Sequence, residues 1–153
     1  MPMTQTRFVP YEMKKSVVRV YSYEDQNISG TLINPHFKED VHFKSTTQLL
    51  KLIDYLQDSL NFPQKSMLAR GFTGVDGGIS PEEFAVSSEA VQPGQKPLAS
   101  FEISILFRQN ASWQGSIVWM EKTLSAEFRS VLEMIFLIDG VLADYMEGGG
   151  AIE

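Results

Sequence analysis

The chain has 153 residues, of which 43% are hydrophobic and 21% are charged. This size and composition are typical of one globular domain and exclude a disordered or fibrous chain. Lys and Arg number 13 and Asp and Glu number 19, which gives a net charge of −6 at pH 7. Because nucleic-acid binders neutralise phosphates with clustered basic residues, we expect no nucleic-acid partner.

Cysteine is absent, which excludes disulfides, thiolate nucleophiles and cysteine-ligated metal centres. The first residues lead into no long apolar run, so no signal peptide is predicted. The longest apolar stretch, around residues 134–138, is far shorter than the roughly 20 residues that span a bilayer. We therefore expect a cytoplasmic protein without a membrane partner.

The first part of the chain, residues 17–62, predicts three strands and a helix. The strand patterns cover residues 17–23, 30–33 and 41–43. A capping box, Ser45-x-x-Gln48, then predicts the start of a helix. Apolar residues recur after it at helical spacing, at Leu49, Ile53, Leu56 and Leu60.

Residues 63–100 are rich in Gly, Pro and Ser, which predicts a linker or long loop with one short turn near residues 81–84. Residues 101–146 then predict a second unit, and residues 147–153 a flexible tail. We expect all of these segments to belong to one domain, residues 1–153.

The second unit repeats the order of the first. Strand patterns cover residues 101–107, 115–120 and 126–128, and Ser130-x-x-Glu133 is a second capping box. The helix that follows, residues 131–142, leaves almost no polar face. Such a helix is normally buried on more than one side, so we expect it to be central or to meet a partner. Gly140 within it predicts the close approach of a neighbouring element.

Internal similarity links the two units. Residues 43–54 align with residues 128–139 without gaps at an offset of 85 positions, and residues 30–33 align with 115–118 at the same offset. Duplication and convergence on one pattern both explain this similarity. We predict an α+β fold of two βββα units in pseudo-twofold arrangement, with antiparallel sheet(s) and both helices packed on one side.

The most distinctive polar segment is the predicted turn at residues 108–115. Amides and a guanidinium supply directed hydrogen bonds and tryptophan supplies a stacking face, so this turn is a candidate site for a small ligand or carbohydrate. Alternatively, its polar residues form the turn and its tryptophan covers the sheet. The candidate ligand-binding residues are Arg108, Gln109, Asn110, Ser112, Trp113 and Gln114.

Other polar residues match no catalytic or metal pattern. His36 and His42 flank Glu39 and Asp40, but their spacing fits no zinc or di-iron site, and we expect them on an exposed loop. No histidine lies near the polar turn and no nucleophile elbow is present. The sequence therefore predicts no metal, no cofactor and no enzymatic activity.

One carboxylate interrupts the apolar run of the second helix. Asp139 occupies the position equivalent to Asp54 in the first helix. A buried carboxylate needs a partner, so we expect a structural salt bridge or hydrogen bond, with Arg108 or Arg129 as the partner.

The segments Phe107-Arg108-Gln109-Asn110-Ala111-Ser112-Trp113-Gln114-Gly115 and Phe128-Arg129-Ser130-x-Leu132-Glu133 resemble a group of small uncharacterised bacterial proteins from clostridia-related bacteria. This resemblance covers about residues 18–65 and 101–142 and implies no activity, cofactor or site. The strand and helix order is also similar to the βββα body of HicB-type antitoxins, which is an analogy of topology alone.

Together these patterns predict a non-enzymatic protein-interaction or regulatory module. Its contact surface is expected on helix 131–142, which would form a homodimer or bind a protein partner. The alternative is a binder of small ligands or carbohydrates through residues 108–115.

Overall fold

One open antiparallel sheet carries two helices in the computed structural model, which describes residues 14–60, 85–86 and 94–147. The strands are β1 (Lys15–Glu24), β2 (Asn27–Ile33), β3 (Val41–Phe43), β4 (Ala85–Val86), β5 (Ala99–Phe107), β6 (Gln114–Trp119) and β7 (Leu124–Phe128). The helices are α1 (Thr46–Leu60) and α2 (Val131–Glu147). The predicted α+β class is therefore confirmed.

The strand order is β4-β3-β2-β1-β5-β6-β7, so six main strands are extended at one edge by the two-residue strand β4. Each hairpin strand pairs with its neighbour in sequence, and β1 pairs with β5 at the centre. The two predicted units thus contribute adjacent halves of a single sheet.

The hairpins of the two halves share their register. Val18 pairs with Leu32 in the first half, and Ile103 pairs with Ile117 in the second, so both members of the pair are shifted by 85 positions. A register irregularity follows each pair at equivalent places, between Val20 and Ser22 and between Ile105 and Phe107. The connecting turns also match, because a consecutive pair of residues in each has positive φ: Asp25 and Gln26, and Asn110 and Ala111.

Two equivalent glycines lie where the backbones of these hairpins approach closely. A Cβ added to Gly30 would lie 1.9 Å from the carbonyl oxygen of Arg19. At Gly115 the same distance, 1.9 Å, separates the added Cβ from the carbonyl oxygen of Ser104. Both positions therefore require glycine for steric reasons.

The predicted capping boxes are present at the start of both helices. The Ser45 hydroxyl accepts a 3.1 Å hydrogen bond from the Gln48 amide, and the Ser130 hydroxyl accepts one of the same length from the Glu133 amide. The Gln48 and Glu133 side chains reach back to the amide of the residue before the serine, which is one position earlier than expected. A hydrogen bond from the Arg129 side chain lowers the pKa of Glu133.

A single core lies between the helices and one face of the sheet. Along β1, Val18 and Val20 are buried while Arg19 between them is exposed, so only alternate residues face this core. Both helices contribute to the same cluster and therefore pack on the same face. Helix residues in the core include Leu49, Leu52, Ile53, Leu56, Leu60, Met134, Ile138 and Leu142.

Several sequence-based expectations need correction. Apart from the neighbouring backbone of α2, no heavy atom of the described residues lies within 4 Å of a Cβ added to Gly140, so no described element approaches closely there. The predicted linker ends before residue 100, because β5 already begins at Ala99. The turn expected at residues 81–84 and most of the tail at 147–153 lie outside the described residues. Among the described helices, none is both long and apolar enough to cross a membrane.

Candidate functional site

The backbone of the polar turn is held by its own side chains. Gln114 accepts a hydrogen bond from the Gln109 amide (3.0 Å) and donates to the Gln109 carbonyl (3.0 Å). The Ser112 hydroxyl accepts from the Val131 amide at 2.9 Å, which joins the turn to the first residue of α2. Asn27 makes the equivalent bond to the Thr46 amide at 2.9 Å in the first half. These polar groups therefore have structural roles at the start of each helix.

Arg108 points away from the exposed part of the turn. Its side chain is only 3% exposed, and Nη1 lies 2.7 Å from Oδ1 of Asp58 and 3.9 Å from Oδ1 of Asp54. Both aspartates belong to α1, so this guanidinium joins the second half of the sheet to the helix of the first half. An arginine committed to these carboxylates is poorly placed to receive a ligand.

Trp113 is also unavailable as an exposed stacking face, because it is 7% exposed and belongs to the hydrophobic core. Gln109 and Asn110 are the exposed members of the candidate set, while Ser112 and Gln114 are half-buried. The structure therefore brings the six candidates into one turn, in which the Arg108 and Trp113 side chains are buried. Ligand binding by this turn stays a prediction.

The carboxylate in the apolar stretch of α2 has a partner that sequence spacing did not indicate. Asp139 accepts a hydrogen bond from the hydroxyl of Tyr23 at the end of β1. The expectation of Arg108 or Arg129 is wrong for this contact, because Arg108 binds the aspartates of α1 and Arg129 binds Glu133 at 2.9 Å. Tyr23 is 116 positions away in sequence, so only the fold brings the pair together.

The two histidines have different environments. His36 is on the exposed loop after β2, as expected, but His42 lies within β3 and is half-buried. The Nδ1 atom of His42 is buried and has no hydrogen-bond partner among the described residues. Burial lowers the pKa of this imidazole, as does nearby Lys44. Within the part of the chain that the structure describes, no group of His, Asp and Glu side chains could hold a metal ion.

The outer side of α2 carries exposed apolar residues. Leu132 is 60% exposed and Phe136 is 63% exposed, and they lie one helical turn apart. At an offset of 85 positions, α1 carries Thr47 and Lys51 instead. Comparison of the two halves therefore reveals an apolar surface that the nearly all-apolar sequence of α2 alone could not locate.

A small cavity lies on the other side of α2, between this helix and the sheet near β7. Its volume is about 190 Å³, and its walls come from the last two strands, from β5 and from α2. Trp119 lines it, and the indole Nε1 of this residue is buried without a hydrogen-bond partner among the described residues. The other lining residues are Phe101, Ile117, Leu124, Ser125, Ala126, Leu137 and Val141.

Comparison of the chain with protein-family models, curated proteins and solved structures finds no significant match. The candidate surfaces are therefore assigned from the chain's own geometry.

Proposed function

We propose that this chain is a non-enzymatic protein-interaction module that contacts its partner through the outer side of α2, first of all a second copy of itself. The observation that carries the proposal is the exposure of Leu132 and Phe136 at positions where α1 has Thr47 and Lys51. Large apolar side chains left in water at adjacent turns of one helix mark an interaction surface.

A second copy fits this surface because the apolar pair is short and self-complementary. In an antiparallel contact between two α2 helices, Leu132 of one copy would meet Phe136 of the other, and the reverse contact would follow by symmetry. Such isologous contacts close after two copies, which favours a dimer over an open chain of subunits.

Light scattering coupled to size-exclusion chromatography tests this proposal over a range of protein concentrations. The double variant Leu132→Thr/Phe136→Lys gives α2 the residues that α1 carries at the same places. We expect the wild-type mass to rise above that of one chain with concentration, and the variant to remain monomeric.

A matched control makes the same chemical change elsewhere. Leu106 and Phe107, at the end of β5, are 50% and 54% exposed. The variant Leu106→Thr/Phe107→Lys should self-associate as the wild type does. A wild type that is monomeric at every concentration, or equal loss of association in both variants, contradicts the proposal.

We further propose that the two halves are βββα units related by a pseudo-twofold axis at the centre of the sheet. The pairing of β1 with β5 supports this arrangement, because Val17 pairs with Glu102, its own equivalent at an offset of 85 positions. The two pairs on either side of it are equivalent to each other, because adding 85 positions to the β1 residue of one pair gives the β5 residue of the other. They are Ser16 with Ile103 and Val18 with Phe101.

The contacts between halves support the same relation. Tyr23 of the first half binds Asp139 on α2, while Arg108, its equivalent in the second half, lies 3.9 Å from Asp54 on α1. Asp54 and Asp139 are themselves equivalent at the offset of 85 positions. In each half, a side chain at the same position therefore contacts the equivalent aspartate on the helix of the other half. Two copies in a symmetric dimer make reciprocal contacts of this kind.

A further inference from the structure

The cavity beneath α2 has the walls of a site for one aromatic ring. Phe101, Ala126, Leu137 and Val141 supply apolar surface around a volume of about 190 Å³. An apolar cavity of about 150 Å³ already accommodates benzene in another protein. Trp119 also lines the cavity and adds an aromatic side chain to its apolar walls.

The first half of the chain places aromatic rings where the second half has none. Phe37 and Tyr55 stack with their ring centroids 6.4 Å apart, and Phe37 packs against the core. At an offset of 85 positions these residues are Lys122 and Gly140. The second half therefore lacks both rings, and its cavity lies beside the helix that bears Gly140.

The backbone of the two regions supports this comparison. The Phe37 amide donates to the Asn34 carbonyl at 2.9 Å, and the Lys122 amide donates to the Trp119 carbonyl at 3.3 Å. The turns before β3 and β7 are thus closed by equivalent hydrogen bonds. Apart from the neighbouring backbone of α2, a Cβ added at Gly140 would meet no atom of the described residues within 4 Å, so a side chain can be added at this position.

The strands at the two ends of the sheet differ in the same way. The outer edge of β3 is covered by β4, through antiparallel pairing of Val41 with Val86 and His42 with Ala85. The outer edge of β7 has no strand beside it among residues 14–60, 85–86 and 94–147. β7 contains no proline and only one charged residue, Glu127, so little on the strand opposes pairing.

We infer that β7 accepts an extended antiparallel strand from a partner protein, with an aromatic side chain placed in the cavity. By the register of β4 on β3, the residue opposite Ala126 would lie on the face of the cavity. The residue that precedes it in the antiparallel partner strand would lie opposite Glu127, whose exposed carboxylate, on a chain of net charge −6, favours a lysine or arginine. This inference rests on the proposed role as an interaction module but uses the inner side of α2.

A peptide built on the chain's own edge strand tests the inference on the full protein. The probe is a fluorescently labelled synthetic copy of residues 82–88 with Val86→Tyr to supply the ring and Ala85→Lys to face Glu127. Fluorescence anisotropy should show saturable binding. The same peptide with alanine in place of the tyrosine should bind roughly tenfold or more weakly, as for an anchor side chain.

Two protein variants locate the binding. Lys122→Phe/Gly140→Tyr gives the second half the rings of the first and should weaken binding of the tyrosine peptide roughly tenfold or more. Lys51→Tyr, which adds a ring to the exposed side of α1, should leave binding unchanged. Glu127→Lys should weaken binding of the peptide that carries lysine at position 85. A peptide with glutamate at that position should bind the Glu127→Lys variant again. This charge exchange keeps the test valid if the ring-filling variant does not fold.

Each other outcome overturns the inference. Equal binding of the tyrosine and alanine peptides would mean that the cavity does not receive the ring. Binding of p-cresol but of no peptide would identify a free small molecule as the occupant. Peptide binding that appears only after removal of residues 148–153 would identify the chain's own tail as the occupant. Any of these results can accompany self-association that is lost in Leu132→Thr/Phe136→Lys, so the proposed function is judged separately.

Discussion

Nη1 of Arg108 lies 2.7 Å from Oδ1 of Asp58, and this ion pair joins the residue after β5 to the helix of the other half. The guanidinium is buried, whereas the Asp58 side chain is 48% exposed. The carboxylate can therefore regain water when its partner is removed, but the guanidinium cannot. Loss of the aspartate should be the more harmful change, because it leaves a buried charge with less compensation.

This asymmetry predicts the outcome of single substitutions. Arg108→Met keeps much of the buried stem and should lower the free energy of unfolding by about 1–3 kcal/mol. Asp58→Asn should cost at least as much, although Asp54 remains 3.9 Å away. Urea unfolding of both variants measures the difference. Arg129→Met, which breaks an exposed pair with Glu133, is the control and should leave the midpoint unchanged.

The hydrogen bond from Tyr23 to Asp139 predicts a measurable coupling between β1 and α2. Tyr23→Phe removes the donor from a half-buried carboxylate and should destabilise the fold by about 1–2 kcal/mol. Tyr23→Phe should cost less stability in the Asp139→Asn background than in the wild type, because the two residues act together. Tyr21→Phe on the same strand is the control. Additive effects of Tyr23→Phe and Asp139→Asn would show that the hydroxyl does not contribute through this carboxylate.

Much of the fold follows from local patterns in the sequence. The capping boxes at Ser45 and Ser130 locate both helix starts, and the alternation from Phe101 to Phe107 locates a strand. The pairing of β1 with β5 does not follow from these patterns, because it depends on contacts between residues 79 to 89 positions apart. The short strand β4 was missed for the same reason. Its two residues lie in a Gly- and Pro-rich stretch and become a strand only by pairing with β3.

The candidate surfaces were harder to predict than the fold. Composition identifies Trp113 as a possible ligand platform, but its side chain is in the core and its turn serves to hold α2. The scarcity of polar residues at positions 131–142 indicates surplus apolar surface without locating it. The useful signal was the comparison of the halves, since Leu132 and Phe136 replace polar residues of α1.

The glycines of the chain should respond to substitution in opposite ways. Gly115→Ala places a Cβ 1.9 Å from a backbone oxygen, so the hairpin must shift, at a cost of about 1–3 kcal/mol or more. Gly140 lies in the middle of α2, and the Cβ added by Gly140→Ala meets no other described element within 4 Å. This substitution should stabilise the protein by about 0.5–1 kcal/mol. Thermal unfolding of both variants checks the prediction. A loss of stability in Gly140→Ala would mean that this position is covered.

His42 should make the stability of the protein depend on pH. Burial lowers the pKa of its imidazole below the ordinary value of 6.5, and Lys44 acts in the same direction, while the nearby backbone of Gly30 partly opposes them. Between the folded pKa and 6.5 the unfolded chain binds more protons than the native protein. The free energy of unfolding should therefore fall as pH decreases through 6.5, and the loss should be complete below the folded pKa.

The experiment compares urea unfolding at several pH values for the wild type and for His42→Gln. The slope near pH 6 should be smaller in the variant, because the substituted amide does not titrate. His36→Gln is the matched control, since His36 is exposed on the loop after β2 and the chain has only these two histidines. If His36→Gln removes the slope and His42→Gln keeps it, the buried imidazole of β3 is not the group whose protonation opposes folding.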